Sequence, residues 1–272
     1  MFYKFDMHIF LKSFKQSIMK KFVFFAAFAF ILSSCKKSID FDKLFHHETK
    51  SQTFSGPQVK MGAGKARGWI TISNTGAPAE IGVEMTDEVL SGLPDTNFSV
   101  AIPFHIKAKE TTPFDHLYIT WASHGHPLPG TFIGPHFDVR FFMTTLEEHL
   151  SIPTYAADSA GFNNHPPTGY MPTSYFPLTP VPQLGLHWTD GNYDNPVTKT
   201  MILGSYNGKF TFVSPIMILD VLKGGQSYSS SYAQPQYFPK ANTYYPTKYN
   251  IYMDNDTKKH YISLSGFVLR YL

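Results

Sequence analysis

Residues 200–213 read Thr200-Met-Ile-Leu-Gly-Ser-Tyr-Asn-Gly-Lys-Phe-Thr-Phe-Val213. Asn207-Gly208 stands between two runs in which apolar residues recur as they do in β-strands. An Asn-Gly pair favours the tight turn that joins antiparallel strands, because both central residues of that turn need a positive φ. This stretch therefore predicts a β-hairpin and is the strongest local indication of an antiparallel fold.

The rest of the chain repeats this pattern of short strands and turns. Twenty prolines and 16% aromatic residues favour a β-rich fold with long loops, which we place at residues 151–182 and 226–246. Further strands are predicted at residues 66–73, 80–85, 98–107, 116–121, 135–143, 183–188, 249–253 and 260–269. Helices are predicted only at 86–92, at 144–150 with a capping box of Thr144 and Glu147, and at 216–222 after an N-cap at Ser214. The sequence thus predicts a mainly β fold (α+β with few short helices), an antiparallel sandwich or barrel-like single domain over residues 59–272.

The amino terminus is typical of an exported protein. Met19-Lys-Lys21 precedes an apolar run over residues 22–32, which is too short to span a bilayer as a helix and suits a signal-peptide core. Leu32-Ser-Ser-Cys35 resembles the lipobox of bacterial lipoproteins, which implies cleavage before Cys35 and lipidation of that cysteine. The alternative is an ordinary signal peptide with a chance cysteine.

These features predict how the mature protein is attached. We expect residues 1–34 to be removed, with Met19 as an alternative start of the chain. Residues 36–55 are polar and without periodicity, which predicts that residues 35–58 hold the lipidated cysteine and a tether to the domain. The membrane is therefore the expected partner of Cys35, and the expected location is the cell envelope, at the outer membrane facing the periplasm or the cell surface.

Composition excludes several classes of function. The chain has 23 basic and 20 acidic residues, but residues 1–34 hold five lysines and one aspartate, so the remainder is close to neutral. No basic run or basic–aromatic patch is present, which argues against nucleic acid as a partner. Cys35 is the only cysteine, so no disulfide forms within the chain. No phosphate-binding loop, dinucleotide fingerprint or haem attachment site is present, so neither a nucleotide nor haem is expected as a cofactor.

Histidine is concentrated in one segment near the middle of the chain. His124 and His126 are two positions apart, as are His136 and Asp138, so each pair points to one side of an extended chain. Two extended pieces joined by a Pro/Gly turn would bring imidazoles and a carboxylate together, a set that suits a divalent metal such as Zn, Fe or Mn. In the alternative, the histidines bond backbone carbonyls and Asp138 pairs with Arg140.

Several blocks of the sequence, taken in order, resemble one family. They include Gly64-Lys-Ala-Arg-Gly-Trp69, His124-Gly-His-Pro-Leu-Pro-Gly130, Pro135-His-Phe-Asp-Val-Arg-Phe-Phe142, Val181-Pro-Gln-Leu-Gly-Leu-His-Trp-Thr-Asp190 and Leu203-Gly-Ser-Tyr-Asn-Gly-Lys-Phe-Thr-Phe-Val-Ser-Pro215. The family resembled consists of exported bacterial proteins of unknown function, whose type member belongs to a stress regulon under an extracytoplasmic sigma factor and its anti-sigma partner. The resemblance covers nearly all of residues 60–270 and implies no biochemical activity.

Two positions depart from that family's pattern. Its second block usually reads His-Phe-Asp-x-His, and here Arg140 stands at the last position. It usually has Glu before the proline of the last block, and here Ser214 stands there. If these are ligand positions, this chain has lost up to two ligands. The candidate metal ligands are His124, His126, His136, His187 and Asp138, with Asp190 and Arg140 as side chains that orient them.

Three functions are compatible with these observations. The first is a lipid-anchored envelope protein that binds a divalent metal through its histidines. The second is a metal-dependent hydrolase or oxygenase, with the loop at 151–182 shaping a substrate pocket. The third is a metal-free module that binds glycan or protein through its aromatic loops. A homo-oligomer is compatible with each of them, and the sequence identifies no other ligand.

Overall fold

The computed structural model describes residues 50–125, 134–192 and 199–271. These ranges contain the strands β1 Gln52–Ser55, β2 Val59–Met61, β3 Gly64–Ile72, β4 Pro78–Thr86, β5 Phe98–Pro103, β6 His116–Ala122, β7 His136–Phe142, β8 Tyr175–Val181, β9 Gly185–Asp190, β10 Lys199–Tyr206, β11 Lys209–Ile218, β12 Tyr228–Ser231, β13 Thr243–Tyr245, β14 Lys248–Asp254, β15 Lys259–Ser265 and β16 Val268–Arg270. The helices are α1 Ile106–Thr111, α2 Leu146–Leu150, α3 Ser159–Asn163 and α4 Leu219–Lys223, and Asp87–Leu90 forms a 3₁₀ turn.

The strands form two large antiparallel sheets. Sheet one has the order β1-β3-β4-β15-β14-β12, with β2 paired to β3, and sheet two has the order β5-β6-β7-β11-β10-β9-β8. A third, small sheet pairs β13 with β16. The hairpin predicted at Asn207-Gly208 joins β10 and β11, and both residues have positive φ, +47° and +75°. That turn sets the register at the centre of sheet two.

One core lies between the two sheets. Sheet one contributes alternate residues of its central strands, including Ile81, Val83 and Ile262. Sheet two contributes the matching face of β7, where Phe137 and Phe141 are completely buried. Burial of each of these side chains contributes roughly 1.5–3 kcal/mol relative to exposure, so this shared layer is the main reason that the two sheets stay packed.

The predicted fold class is confirmed. Among the described residues, strands account for 48% and helices for 12%, the sheets are antiparallel, and neither large sheet closes into a barrel. The architecture is therefore the sandwich-like alternative. Residues from Lys50 onward form one compact unit. No helix within this part of the chain combines the length and apolar composition needed to cross a membrane.

The domain begins earlier than the sequence predicts. Strand β1 pairs with β3, with Gln52 opposite Ile72 and Ser55 opposite Trp69. Residues 52–55 therefore belong to sheet one, although they lie inside the segment 35–58 predicted as a tether. These residues are polar because they form an edge strand, whose outward side chains face water. The predicted signal segment, Cys35 and the tether up to residue 49 lie outside the described residues.

Three predicted elements differ in detail. The strand predicted at 98–107 ends at Pro103, and a helix follows because the His105 side chain caps it by accepting from the Lys107 amide at 3.2 Å. The capping box of α2 is formed by Thr145 and Glu148, one position after the predicted pair. The helix predicted at 216–222 begins later, as α4 at Leu219, because residues 210–217 are buried and belong to strand β11 of sheet two.

The two predicted loops also contain regular structure. The segment 151–182 includes α3 and β8, and the segment 226–246 includes β12 and β13. The sequence signal is weak because these elements are short and several sit at sheet edges, where alternation of apolar and polar residues is not required.

Candidate functional site

The outer face of β7 carries the residues that the sequence singles out. Phe137, Val139 and Phe141 point into the core, so His136, Asp138 and Arg140 point the other way. All seven residues of β7 are buried, including these three polar ones. We call His136, Asp138 and Arg140 the β7 polar row. Charged side chains are rarely buried without a partner, so their contacts decide what the row can do.

Arg140 and Asp138 form a buried ion pair. An Nη2 group of Arg140 donates to Asp138 Oδ2 at 2.7 Å, and Nη1 donates to Thr120 Oγ1 on β6 at 2.9 Å. The guanidinium carbon lies 5.8 Å from the ring centre of Phe212. The Nε atom of Arg140 has no hydrogen-bond acceptor in the described part of the chain. The pair neutralises charge inside the protein at a high desolvation cost.

The hydrogen bonds of His136 define how its ring is oriented. Its Nδ1 lies 2.9 Å from the carbonyl oxygen of Gly134, which is only an acceptor, so Nδ1 carries a hydrogen. The other nitrogen, Nε2, lies 3.4 Å from Asp138 Oδ1. In the neutral ring, Nε2 is also an acceptor. Two acceptors that face each other at this distance would be stabilised by a metal ion bound to both.

His187 lies far from the β7 polar row. It is on the same face of sheet two, but strands β11 and β10 lie between β7 and β9, which separates them by about 14 Å. His187 pairs with Gly204, and Gly204 pairs with Phe212. Phe212 in turn is opposite Phe142, which lies at the other end of β7 from His136. The ring packs edge-on against Phe212 instead. The structure therefore does not bring His187 and His136 together.

The remaining predicted site residues are also dispersed. His124 is 71% exposed, and its Nε2 lies 3.1 Å from Asp95 Oδ1. Asp190 lies three positions after His187 on β9, so its side chain points to the opposite side of the strand. Its Oδ1 accepts from the amide of Asn192 at 3.0 Å. His126 lies outside the described residues.

The described residues fit a metal ion only in part. They contain no group of three or more His, Cys, Asp or Glu side chains placed to hold one. His136 and Asp138 would supply two ligands, and the guanidinium of Arg140 already neutralises that carboxylate. In the β7–β11 register, Val213 is opposite Phe141 and Ile216 is opposite Asp138. The same register sets Ser214 level with Arg140, so the two positions that depart from the resembled family are neighbours on one face.

A second candidate site lies on the outer face of sheet one. It is an open groove of about 470 Å³, which we call the tyrosine groove. The strands β4, β14 and β15 and the edge strand β12 form it. Its lining residues are Glu80, Ser227, Tyr228, Ser229, Asn250, Tyr252 and Ser265.

Hydrogen bonds between neighbouring strands fix the polar groups of the tyrosine groove. Asn250 donates to the hydroxyls of Ser263 and Ser265, both at 3.0 Å, and accepts from Ser229 at 2.7 Å. Glu80 Oε1 accepts from the Tyr252 hydroxyl at 3.2 Å and from the Ser263 hydroxyl. These bonds hold a carboxylate and an amide side by side on a rigid sheet.

The Tyr252 ring gives the groove an aromatic wall. It stacks on Tyr261 with ring centres 4.9 Å apart and planes 8° from parallel, so one face of Tyr252 is covered. Burial raises the pKa of Tyr252 well above its usual range, and the nearby Glu80 carboxylate raises it further. The hydroxyl therefore stays protonated and remains a hydrogen-bond donor.

The sequence alone does not indicate this groove. The third of the three functions that it allows would place binding in aromatic loops, whereas Asn250, Tyr252 and Tyr261 belong to the β14–β15 hairpin. The signal was present in the alternation of residues 249–253 and 260–269, which sets polar and aromatic residues together on one face. Strand pairing was needed to show that Glu80, about 170 residues away in sequence, joins them.

Comparisons with known proteins identify no relative. No family model, curated protein or solved structure matches the chain.

Proposed function

We propose that this protein is an exported, lipid-anchored binding protein of the cell envelope that takes a neutral saccharide into the tyrosine groove. The observation that carries the proposal is the aromatic face of Tyr252 beside the fixed amide of Asn250 and the carboxylate of Glu80. A sugar ring has one apolar face and a rim of hydroxyls. An aromatic ring contacts the former, and amide, carboxylate and hydroxyl groups bond the latter.

The charge of the groove selects among ligand classes. Glu80 is the only carboxylate among the lining residues, which include no lysine, arginine or histidine, and it is an acceptor that favours ligand hydroxyls as donors. An anionic ligand such as a phosphate would be repelled by this carboxylate. The groove also lies across an open, rigid sheet, a shape that fits an extended chain of sugars.

Calorimetric titration tests the saccharide proposal directly. The full chain, in a detergent without a sugar headgroup, is titrated with cellohexaose, chitohexaose and maltohexaose as neutral probes. At least one is expected to bind, and Tyr252→Ala or Asn250→Ala should weaken it by roughly tenfold, the equivalent of about 1.4 kcal/mol. Tyr155→Ala, which removes an exposed tyrosine outside the groove, is the control and should leave affinity unchanged.

Two results would reject the saccharide site. One is the absence of heat with all three probes at millimolar concentration. The other is binding that Tyr252→Ala and Asn250→Ala leave intact, which would locate the sugar elsewhere.

The lipid anchor is tested separately. We expect the full chain to incorporate labelled palmitate in a bacterial host and to fractionate with membranes. Cys35→Ser should abolish both, because it removes the only thiol that a lipid could modify. Membrane association that survives this substitution would contradict lipidation at Cys35.

A divalent metal is the second candidate ligand. The observation in its favour is that His136 Nε2 and Asp138 Oδ1 face each other at 3.4 Å, which a cation would stabilise. Elemental analysis of the full chain after incubation with Zn, Fe or Mn salts decides it. About one equivalent, lost in His136→Phe, supports a metal site, and metal content at background level rejects it.

A further inference from the structure

A chain of hydrogen-bonded side chains joins α1, the start of β6 and α2. Lys109 on α1 bonds Asp115, whose Oδ1 lies 3.0 Å from His116 Nδ1. His116 Nε2 lies 3.0 Å from Nδ1 of His149 on α2. The His149 ring is 1% exposed and lies flat on Phe142, with ring centres 4.1 Å apart. Packing therefore fixes the direction in which the last nitrogen of the chain points.

The carboxylate at one end sets the tautomer of both rings. Ionised Asp115 only accepts, so His116 Nδ1 carries a hydrogen and His116 Nε2 is an acceptor. His149 Nδ1 must then be the donor between the rings, which leaves His149 Nε2 as a lone pair. Burial is the largest cause that lowers the pKa of both histidines, that of His149 to about 4. Both rings are therefore neutral near neutral pH.

The side chain of His149, whose Nε2 carries the lone pair, lies at a cleft. His149 lines a cavity of about 180 Å³ between α2 and the β10–β11 hairpin, which we call the histidine cleft. Its Nε2 is buried and has no hydrogen-bond partner in the described part of the chain, and the hydroxyls of Thr144 and Thr211 are in the same condition. Both threonines line the same cleft. An unsatisfied buried polar atom costs about 1–3 kcal/mol, so three in one cavity form an unusual concentration.

A β-bulge turns Thr211 toward the cleft. Gly204 pairs with Phe212 and Ser205 pairs with Phe210, so Thr211 is the extra residue of β11. Such bulges redirect a side chain relative to regular alternation and are common beside functional sites. Thr211 therefore lies between Phe210, which packs in the core, and Phe212, which packs on the other face, and it lines the cleft.

We propose that the histidine cleft is a binding site for a small neutral polyol, such as a monosaccharide, in which one ligand hydroxyl donates to His149 Nε2. The hydroxyls of Thr144 and Thr211 bond neighbouring oxygens of the same ligand. This site is separate from the tyrosine groove, which lies on the other sheet, and it stands whether or not that groove binds a saccharide.

The charges of the cleft favour a neutral ligand. Lys209 and Glu148 both line it, and their opposite charges leave no net preference for an anion or a cation. A neutral imidazole accepts a hydrogen bond and cannot pair with an anion as an imidazolium would. Three buried groups, one acceptor and two hydroxyls, match a ligand with several adjacent hydroxyl groups.

Nitrogen NMR of the full chain labelled with ¹⁵N-histidine tests the site in two steps. Before any addition, the Nδ1–H tautomer is expected for both His116 and His149. Titration with D-glucose, and separately with glycerol, should then shift the His149 Nε2 resonance in a saturable way. Thr211→Val is expected to weaken this binding by roughly tenfold, because it removes one hydroxyl without changing the shape of the side chain.

Matched variants make the result decisive. Thr200→Val removes another buried threonine hydroxyl of sheet two, outside the cleft, and should leave the titration unchanged. Tyr252→Ala should also leave it unchanged, which separates this site from the tyrosine groove. The proposal is overturned by an Nε2–H tautomer of His149, by no shift with either polyol at high millimolar concentration, or by equal binding in wild type and Thr211→Val.

Discussion

The outer face of each sheet carries an ion pair between an arginine and a carboxylate, and the two pairs differ in their exposure to water. On sheet one, Arg67 and Glu84 form an ion pair at 2.6 Å with side chains 31% and 12% exposed. On sheet two, Arg140 and Asp138 form one at 2.7 Å with side chains 4% and 1% exposed. Water partly screens the first pair, and Lys259 Nζ also donates to Glu84 at 3.1 Å, whereas the second pair depends on a few protein groups for all of its solvation.

This difference separates the roles of the two faces. On sheet one, hydroxyl, amide and carboxylate groups stay within reach of solvent, so they can exchange water for a ligand. On sheet two, β7 is buried along its whole length. Its charged groups therefore act mainly on the stability of the fold, because they are not exposed to exchange water for a ligand. The free-energy cost of changing a polar side chain should therefore differ between the two faces, and substitutions can measure that difference.

The largest contrast is expected from neutralising the acid of each pair. Asp138→Asn keeps the shape of the side chain but leaves Arg140 buried beside a neutral group, which should destabilise the fold by about 3–5 kcal/mol. Glu84→Gln, the matched change on sheet one, should cost about 1 kcal/mol or less. Urea denaturation of both variants compares them.

The double variant Asp138→Leu/Arg140→Met is the control for this contrast. Removing both charges together should restore much of the lost free energy of unfolding, because neither desolvated ion remains. Equal destabilisation by Asp138→Asn and Glu84→Gln would show that burial does not distinguish the two faces.

Acid should destabilise the protein through His149 on sheet two. Its folded pKa of about 4 lies below the ordinary 6.5, so between these values the unfolded chain binds more protons. The associated stability is complete above about pH 6.5 and is lost as the pH falls toward 4, a change on the order of 3 kcal/mol. The lowered pKa of His116 acts in the same direction.

Denaturant midpoints of wild type and His149→Phe across this pH range test the assignment. The carboxylates titrate in both proteins, so the difference between the two curves isolates the histidine. As the pH falls from 6.5 to 4, wild type should lose more free energy of unfolding than His149→Phe does. Parallel curves would contradict a buried, neutral His149.

The neighbouring positions 140 and 214 allow a metal site to be built on sheet two. Arg140→His/Ser214→Glu removes the guanidinium and adds an imidazole and a carboxylate level with each other, beside Asp138 and His136. We expect this double variant to bind Zn²⁺ and to gain about 2.7 kcal/mol at a hundredfold excess over Kd. Thermal unfolding with and without Zn²⁺ measures it, and each single variant serves as control.

Much of the fold could be predicted from sequence because it is encoded locally. The Asn207-Gly208 turn and the alternation in residues 66–73 and 80–85 predict hairpins that the structure contains. Elements were missed where a tertiary contact decides the outcome. The helix predicted at 216–222 begins only at Leu219, because Met217 packs in the core while Ile216 packs on the other face, and burial on both sides outweighs an N-cap signal at Ser214.

The candidate sites were less predictable because they depend on strand order. Sequence spacing correctly sets His136, Asp138 and Arg140 on one face, since alternation along a single strand is local. It cannot show that His187 is three strands away, or that Glu80 bonds Tyr252. His116 and His149 are 33 residues apart, and no motif links them before the strand and the helix pack together.

The smallest contrast concerns single hydrogen-bond partners. Thr120→Val removes one acceptor from the guanidinium of Arg140 and should cost about 1–3 kcal/mol, because Arg140 is only 3% exposed. Asn250→Ala removes three hydrogen bonds on sheet one but should cost less than about 1 kcal/mol, because solvent reaches Ser229 and Ser265 and the buried Ser263 keeps its bond to Glu80. If urea denaturation instead ranks the losses by the number of bonds removed, then exposure is not what separates the two faces, and the tyrosine groove would be a structural network instead of a surface free to bind a ligand.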